Sequence, residues 1–350
     1  MTQTVQPDLL SVPAANPNLI INGDMRIAQR GTSIAAPANG NYTLDRWVYG
    51  IVGAGVVTVS RDTDTPNSET PFSLKIDVTT ADATLAATDL YFISQKLEGF
   101  NTAALALGTA SAKTITVSFD VKSTKTGTFC FGLGNSAQNR SYRKEYTVST
   151  TDTWESKTIT ISLDTAGTWI GATNGIGLTA FWTLAAGANY QGTDDTWDAG
   201  VVVVGTASQA NALDNIANNF LLANVKLEVG STATAFVPDD YATALAKCQR
   251  YYQLFGFGMP ASCDLTTNVS IPFHTSVPMR TTSPTFVIEN TSFQIRSNNA
   301  VRTASSPAVV GATAGDGSGF WKQINGLSSL TGGHAGLVYT VNAFSADAEL

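Results

Sequence analysis

Short rows in which apolar and polar residues alternate strictly recur along this chain, and they constrain its fold more than any other feature. Leu74, Ile76 and Val78 alternate with Ser73, Lys75 and Asp77. Ile115, Val117, Phe119 and Val121 alternate with Thr114, Thr116, Ser118, Asp120 and Lys122. Ile159, Ile161 and Leu163 alternate with Thr158, Thr160 and Ser162, and Ile176, Leu178, Ala180 and Trp182 make a further row. Leu221, Ala223, Val225, Leu227 and Val229 alternate with Leu222, Asn224, Lys226 and Glu228. A period of two lays one side of each strand on a core and turns the other to water. Turn-forming stretches separate the rows at Lys125-Thr126-Gly127, Gly132 to Asn139 and Gly187 to Gly192. With no helical period between them, the rows predict an all-β, antiparallel sandwich over residues 18–237.

The polar sides of these rows are mostly Thr, Ser and Asn. Only 13% of the 350 residues are charged, where about 25% is usual. The 20 Lys+Arg against 27 Asp+Glu leave a net charge of −7. Such a surface lacks the basic footprint of a nucleic-acid binder. The apolar content of 43% is too high for overall disorder. No apolar run nears the ~20 residues that span a bilayer. Met1 to Pro17 also lacks the basic and apolar regions of a secretory leader, so membrane insertion is not expected. Cys130, Cys248 and Cys263 are few, odd in number and widely spaced. That pattern predicts free thiols and synthesis in a reducing cytoplasm, not a disulfide framework or a zinc cluster.

Pro7, Pro13 and Pro17 make residues 1–17 an extended arm. Residues 18–27 read as a strand interrupted at Asn22-Gly23. Beyond the sandwich the period changes: Tyr241, Leu245, Cys248 and Tyr252 fall on one helical stripe behind Pro238-Asp239-Asp240. An amphipathic helix over 239–254 is therefore expected within a connecting segment, 238–255. Asp239 would cap it, Lys247 and Arg250 would sit near its end, and Cys248 would lie on its buried side. Residues 256–350 return to strand patterns at 269–273, 285–288, 293–295, 337–341 and 344–350. An exposed loop is expected at 303–319, and the whole predicts a second, smaller β domain.

Residues with catalytic chemistry are sparse. His274 and His334 stand far apart, with no cysteine or motif beside them. Gly315-Asp316-Gly317-Ser318-Gly319 lacks the spacing of a nucleophile elbow. Gly132-Leu133-Gly134 is followed by no helix that could cradle a phosphate. Asp194, Asp195 and Asp198 crowd around Trp197 in a loop, where carboxylates solvate the chain or hold a hard cation such as calcium more readily than they form the spaced pair of a glycosidase. No catalytic residue is assigned. Trp47 and Trp182 fall in strand contexts and read as core. Trp169 and Trp197 lie beside glycine-rich loops, where an indole could stack on the apolar face of a sugar ring while neighbouring polar groups bond its hydroxyls. Trp169, Trp197, Asp195 and Tyr190 are the candidate carbohydrate-binding residues. The alternative is that the indoles close the end of the sandwich.

Two stretches carry a resemblance. Asn18-Leu19-Ile20-Ile21-Asn22-Gly23-Asp24-Met25-Arg26-Ile27-Ala28-Gln29-Arg30-Gly31, followed by Tyr42-Thr43-Leu44-Asp45-Arg46-Trp47, resembles the opening of a group of bacteriophage tail-fibre and other virion proteins. Leu227-Glu228-Val229-Gly230-Ser231-Thr232-Ala233-Thr234-Ala235-Phe236, running into Ala246-Lys247-Cys248-Gln249-Arg250-Tyr251-Tyr252, is similar to the close of the same module. Ser94-Gln95-Lys96-Leu97-Glu98-Gly99 and the row from Thr114 to Lys122 fit between them, so the resemblance covers about 18–255. The Asn-Gly-Asp opening is also similar to that of jelly-roll carbohydrate-binding modules, which often carry a structural calcium near that turn and the last strand. The matching positions imply Asp24 and Glu228 as its ligands; no other cofactor is implied. Arg26 stands where an acidic residue is common. Ala28 and Asp120 stand where aromatic residues are common, so no glycan contact is carried over to them.

The resemblance implies a jelly-roll sandwich in a non-enzymatic virion structural protein: a tail fibre, head fibre or capsid-decoration subunit located in the virion. It implies a homotrimer, an N-terminal arm docking on other virion proteins, and adhesion to host-surface glycans. Few long charged side chains suit such packing, because little side-chain entropy is lost when subunits associate, and symmetry closes the interfaces. The alternative readings are a carbohydrate-binding module serving an enzyme, and a depolymerase acting on bacterial surface polysaccharide.

Overall fold

The computed structural model describes residues 17–200, 202–255, 259–264, 267–289, 294–297, 300–303, 309–313, 319–327, 330, 335–338 and 344–350. Residues 1–16 of the expected arm 1–17, and His334, lie outside them. The chain divides into two compact units. The first comprises the residues through Arg26, Ala35–Asn41 and Tyr49–Asp239, and the second comprises Ile27–Ile34, Tyr42–Val48 and Asp240–Leu350. The stretches 27–34 and 42–48 thus group with the C-terminal strands.

The strands of the N-terminal part begin with two short edge pieces, β1 (Ser33–Ala35) and β2 (Asn41–Tyr42), and β3 (Val48–Val52). Then come β4 (Val56–Asp62), β5 (Ser73–Thr80), β6 (Leu90–Glu98) and β7 (Thr114–Ser123). They continue with β8 (Gly127–Gly134), β9 (Arg140–Val148), β10 (Glu155–Ser162), β11 (Ile176–Ala186), β12 (Thr196–Ala199) and β13 (Asn219–Val229). A single helical turn, α1 (Gly99–Thr102), follows β6. One sheet contains the order β5-β13-β7-β10 and the other the order β6-β11-β8-β9. Among these eight strands, successive ones change sheet at β5 to β6, β6 to β7, β7 to β8, β9 to β10, β10 to β11 and β11 to β13. That connectivity is a jelly roll, two interleaved Greek keys of four strands each. β4 extends the first sheet beside β5, and β3 and β12 extend the second beside β6 and β9.

The alternating rows build the core between the sheets. Leu74, Ile76, Ile115, Val117, Phe119, Val121, Ile161, Leu178, Ala180 and Trp182 are all buried. Phe119 of one sheet meets Trp182 of the other edge-on at 5.9 Å, and Phe129 meets Phe220 at 5.7 Å. Cys130 is buried in this unit, and all three cysteines are buried and free.

Two sequence expectations change here. Residues 18–27 form no ladder strand, because Asn22 and Met25 both adopt left-handed backbone, with φ of 58° and 59°. The segment runs beside β13 by two isolated backbone bonds, Leu19 N–H to the Leu227 carbonyl at 2.8 Å and Val225 N–H to the Gly23 carbonyl at 2.9 Å, and by the Asn18 side chain: its Nδ2 donates to the Val225 carbonyl at 2.9 Å, and its Oδ1 accepts the Leu227 N–H at 2.9 Å. The second change is in β13, whose polar side does not face water. Asn224, Lys226 and Glu228 are 6%, 3% and 0% exposed. β13 is a central strand, and residues 234–235 cover it by bonding Lys226 and Glu228.

In the second unit the helix α2 (Tyr241–Gln249) is shorter than expected. Asp240, not Asp239, caps it, with its carboxylate accepting the Thr243 N–H at 3.0 Å. Its buried side is Ala244 and Cys248, while Tyr241 is exposed. Tyr252 leaves the helix because it opens β14 (Tyr252–Phe255). The remaining strands are β15 (Pro260–Cys263), β16 (Val269–His274), β17 (Thr285–Ile288), β18 (Gln294–Ser297) and β19 (Ala300–Thr303). They end with β20 (Val309–Thr313), β21 (Gly319–Ile324), β22 (Ala335–Val338) and β23 (Phe344–Asp347). They form sheets of order β14-β23-β17 and β19-β18-β22-β15-β16-β21-β20. β20 lies inside the tract expected to be a loop, where it gains a ladder against β21. Phe273 anchors the core, with Phe255, Phe286 and Phe344 rings at 5.3, 4.8 and 5.2 Å. Trp47 and Arg46 are buried in this unit; the Arg46 guanidinium lies 3.5 Å over the Tyr251 ring and pairs with Glu349.

Candidate functional site

β12 is an edge strand of the sheet that contains β6, β11, β8 and β9, and it pairs with β9, Trp197 opposite Tyr142. Their rings lie 5.1 Å apart. Trp169, from the loop after β10, meets Trp197 at 5.7 Å with the ring planes at 89°. Both indoles are half-buried. The Trp169 N–H donates to the Ala166 carbonyl at 3.0 Å, and the Trp197 N–H donates to the Ser162 carbonyl at 2.9 Å. With both polar tips engaged, what each indole still offers a ligand is ring surface.

The loop that carries Trp169 is pinned from below. Arg140 grips Asp164 through two bonds of 2.6 and 2.7 Å. Asn135 Nδ2 donates to the Thr168 carbonyl at 3.1 Å while its Oδ1 accepts the Asn139 and Arg140 N–H groups. Gly167, with φ +77°, lies so close to Arg140 that a Cβ would come within 2.7 Å of its Cγ. The other side is an acidic turn, leading into β12, that is tied to β9. Asp194 accepts the Glu145 N–H at 2.7 Å and Lys144 Nζ at 2.8 Å. Asp195, itself left-handed at φ 57°, accepts the Tyr142 hydroxyl at 2.5 Å and Lys144 at 3.4 Å. Asp198 pairs with the fully buried Arg143.

These partners fix the charges. The Tyr142 hydroxyl, then Lys144, hold Asp195 below the usual carboxylate range. The Asp194 carboxylate raises Lys144, and burial followed by the bond to Asp195 raises Tyr142 well above an ordinary phenol. A general acid or base working at neutral pH needs a pKa near 7, and these shifts all run away from it.

The structure therefore brings together Trp169, Trp197 and, through Tyr142, Asp195. It places Tyr190 elsewhere. Tyr190 ends a short turn and packs with Phe92, Phe181 and Val202 around Leu90, Ala186 and Val204. Phe92 and Phe181 meet edge-on at 5.2 Å. Phe92 lies over Gly50, where a Cβ would come within 2.0 Å of its ring. Sequence reasoning missed Tyr142, Phe92 and Phe181. Tyr142 is the one aromatic residue in Arg140-Ser141-Tyr142-Arg143-Lys144, a run with no apolar alternation to mark it as a strand. Phe92 sits in the unbroken apolar run Leu90-Tyr91-Phe92-Ile93, which has no readable period.

The residues implied as calcium ligands have other partners. Asp24 is paired with Arg26. Glu228 accepts the Thr234 N–H at 2.8 Å and its hydroxyl at 2.7 Å, and lies 3.3 Å from Lys226 Nζ. Among the described residues no group of three or more His, Cys, Asp or Glu could hold a metal ion. Both implied ligands are thus already engaged by a cation, and Glu228 also by Thr234. His274 is exposed.

No protein-family model and no curated protein matches the chain. Among solved structures it aligns with the enzymatically active domain of tailspike protein 4 of bacteriophage CBA120, at 12% identity over 56% of this chain, with a TM-score of 0.31. The chain spans 22% of that structure's length. It also aligns with a family 11 carbohydrate-binding module from Clostridium thermocellum solved with a β-1,3-1,4-mixed-linked tetrasaccharide, at 12% identity over 58% of this chain and 98% of that one, TM-score 0.30. A third is TmCBM61 solved with β-1,4-galactotriose, at 10% identity over 61% and 99%, TM-score 0.30. The jelly-roll assignment stands on the strand order.

Proposed function

We propose that this chain is a non-enzymatic structural protein of a bacteriophage virion whose jelly roll attaches to host-surface glycan through the Trp169–Trp197 face. The observation that carries the glycan reading is the pair of perpendicular, half-buried indoles at a sheet edge, with their N–H groups already engaged. Flat apolar rings flanked by carboxylates and an ammonium suit a pyranose, which offers C–H faces and hydroxyls together. The chemistry around them supports attachment over turnover. The sandwich sequence contains no histidine, and its carboxylates nearest the indoles are held by Tyr142, Lys144 and Arg143. The virion assignment, the homotrimer and docking through the N-terminal arm rest on the sequence resemblance.

A glycan array probed with the purified chain tests the reading. Binding should saturate, and Trp197→Ala should weaken it by at least about tenfold, as for an aromatic anchor at the centre of a contact. Trp169→Ala should act in the same direction. Unchanged binding by both variants would refute the site. Stoichiometric recovery from purified particles and a trimer mass by light scattering test the virion role. Release of reducing ends from host polysaccharide would overturn the non-enzymatic reading.

A further inference from the structure

A cleft of about 330 Å³ opens on the outer side of the other sheet, at the small end of the 300–1,000 Å³ typical of ligand pockets. Its floor is a polar row across three strands. Asp120 of β7 pairs in register with Ser156 of β10 and with Ala223, next to Asn224, of β13. Ser118 and Thr158 make a second row beside it. Thr234 and Phe236 contribute to its wall.

Asn224 is what makes this more than a dent. It is 94% buried, since its exposure is 6%. It sits where the β13–β7 register shifts, between Ala223 and Lys226, with left-handed backbone at φ 52°. Bulges of this kind re-aim a side chain and concentrate near functional sites. Its Nδ2 donates to Asp120 Oδ2 at 2.7 Å, while Ser156 donates to Asp120 Oδ1. A carboxylate accepts only, so the amide cannot be turned the other way round. Asn224 Oδ1 is therefore committed as an acceptor, and it has no hydrogen-bond partner among the described residues. Buried acceptors are almost always satisfied.

We propose that this cleft is a second binding site, for a neutral sugar residue that donates a hydroxyl to Asn224 and lays its C–H face toward Phe236. The charge pattern selects the ligand. Asp120 is the carboxylate on the floor. Lys157, the cation lining the cleft, is engaged by Glu155 at 2.6 Å. An anionic sugar would meet Asp120 without compensation, and a bare divalent cation would find one carboxylate. The site stands apart from the Trp169–Trp197 face. Ser156 and Ser162, which mark the two places on β10, are six residues apart, about 20 Å along a strand.

The test is side-chain amide NMR on the full-length labelled chain titrated with D-glucose, D-galactose, N-acetyl-D-glucosamine and D-glucuronate. At least one neutral sugar should shift the Asn224 amide pair saturably, and D-glucuronate should bind at least tenfold more weakly. Asn224→Gly suits the left-handed backbone, so it removes the amide while the thermal midpoint and circular dichroism confirm the fold. It should weaken that sugar, followed on the resonances of Ser118 and Ser156, by tenfold or more. The Trp169→Ala/Trp197→Ala double variant should keep the cleft signal, which separates this site from the first. No shift with any neutral sugar at tens of millimolar, equal binding of D-glucuronate, or undiminished binding by Asn224→Gly would overturn the proposal.

Discussion

The side-chain amide of Gln95 pairs with both backbone groups of Ile21: its Nε2 donates to the Ile21 carbonyl at 2.9 Å, and its Oε1 accepts the Ile21 N–H at 2.8 Å. Gln95 is 1% exposed and shares the core side of β6 with Ile93 and Leu97. The Gln95 side chain thus holds residues 18–27 from β6, in addition to the two backbone bonds that Leu19 and Gly23 make to β13. This explains how an irregular segment is held without a ladder.

Gln95→Ala should destabilise the sandwich by about 2–4 kcal/mol, because it strands a largely buried donor and acceptor together. Gln95→Glu keeps the acceptor, loses the donor and places a charge in the core, so it should be at least as harmful. Urea unfolding followed by tryptophan fluorescence gives both values. A loss below about 0.5 kcal/mol, the scale of an ordinary surface change, would mean the pair holds nothing.

The same segment depends on Gly23. A Cβ there would come within 2.1 Å of the Val225 carbonyl oxygen, a backbone atom that cannot swing away. Gly23→Ala should therefore cost roughly 2 kcal/mol or more, as overpacking against a fixed neighbour does. Gly171 is the matched control, since a Cβ there would meet nothing within 4 Å. Gly171→Ala should stay within about 0.5 kcal/mol of the parent. Thermal unfolding of the two variants side by side decides the matter.

Which parts of this could be read from the sequence follows from how local the signal is. The rows at Leu74–Val78 and Ile115–Val121 declare their buried side by themselves, because core and water alternate residue by residue. Lys226 and Glu228 look equally like a wet face, and only the segment at 234–235, arriving from outside the strand, buries them. Tyr252 fits the helical stripe of Tyr241, Leu245 and Cys248, yet pairing with Asp347 claims it for a strand. At the site, Trp169 and Trp197 were visible as tryptophans in loops. Their right-angle contact was not, because it requires Arg140, Asp164 and Asn135 to fold one loop against another strand.

The Tyr142–Asp195–Lys144 cluster sets a pH window for the tryptophan face. Asp195 has its folded pKa lowered, so its contribution is present above the unfolded value of about 3.9 and is lost as pH falls through the folded pKa. Lys144 has its folded pKa raised. Its contribution is present below about 10.4 and is lost as pH rises through the folded value. The turn should therefore stay clamped to β9 between about pH 4 and 10. Carboxyl-carbon NMR should place the Asp195 midpoint below that of a free aspartate, and Tyr142→Phe should move it upward. A midpoint unaffected by Tyr142→Phe would show that the hydroxyl does not hold the carboxylate.

Lys226 and Glu228 provide the last test, because they are a buried pair inside an apolar strand. Their side chains are 3% and 0% exposed and 3.3 Å apart, and Thr234 completes both shells. Removing one partner leaves a charge in low dielectric, so Lys226→Met and Glu228→Leu should each cost about 3–5 kcal/mol. Replacing both removes the desolvation cost along with the attraction, so the double variant should be more stable than either single one. The same carboxylate was the candidate calcium ligand on the last strand. With Thr234 and Lys226 on it, added calcium or a chelator should leave the parent's thermal midpoint unchanged. Additive single losses in the double variant would show that the two groups do not interact, and a calcium-dependent midpoint would return Glu228 to a metal site.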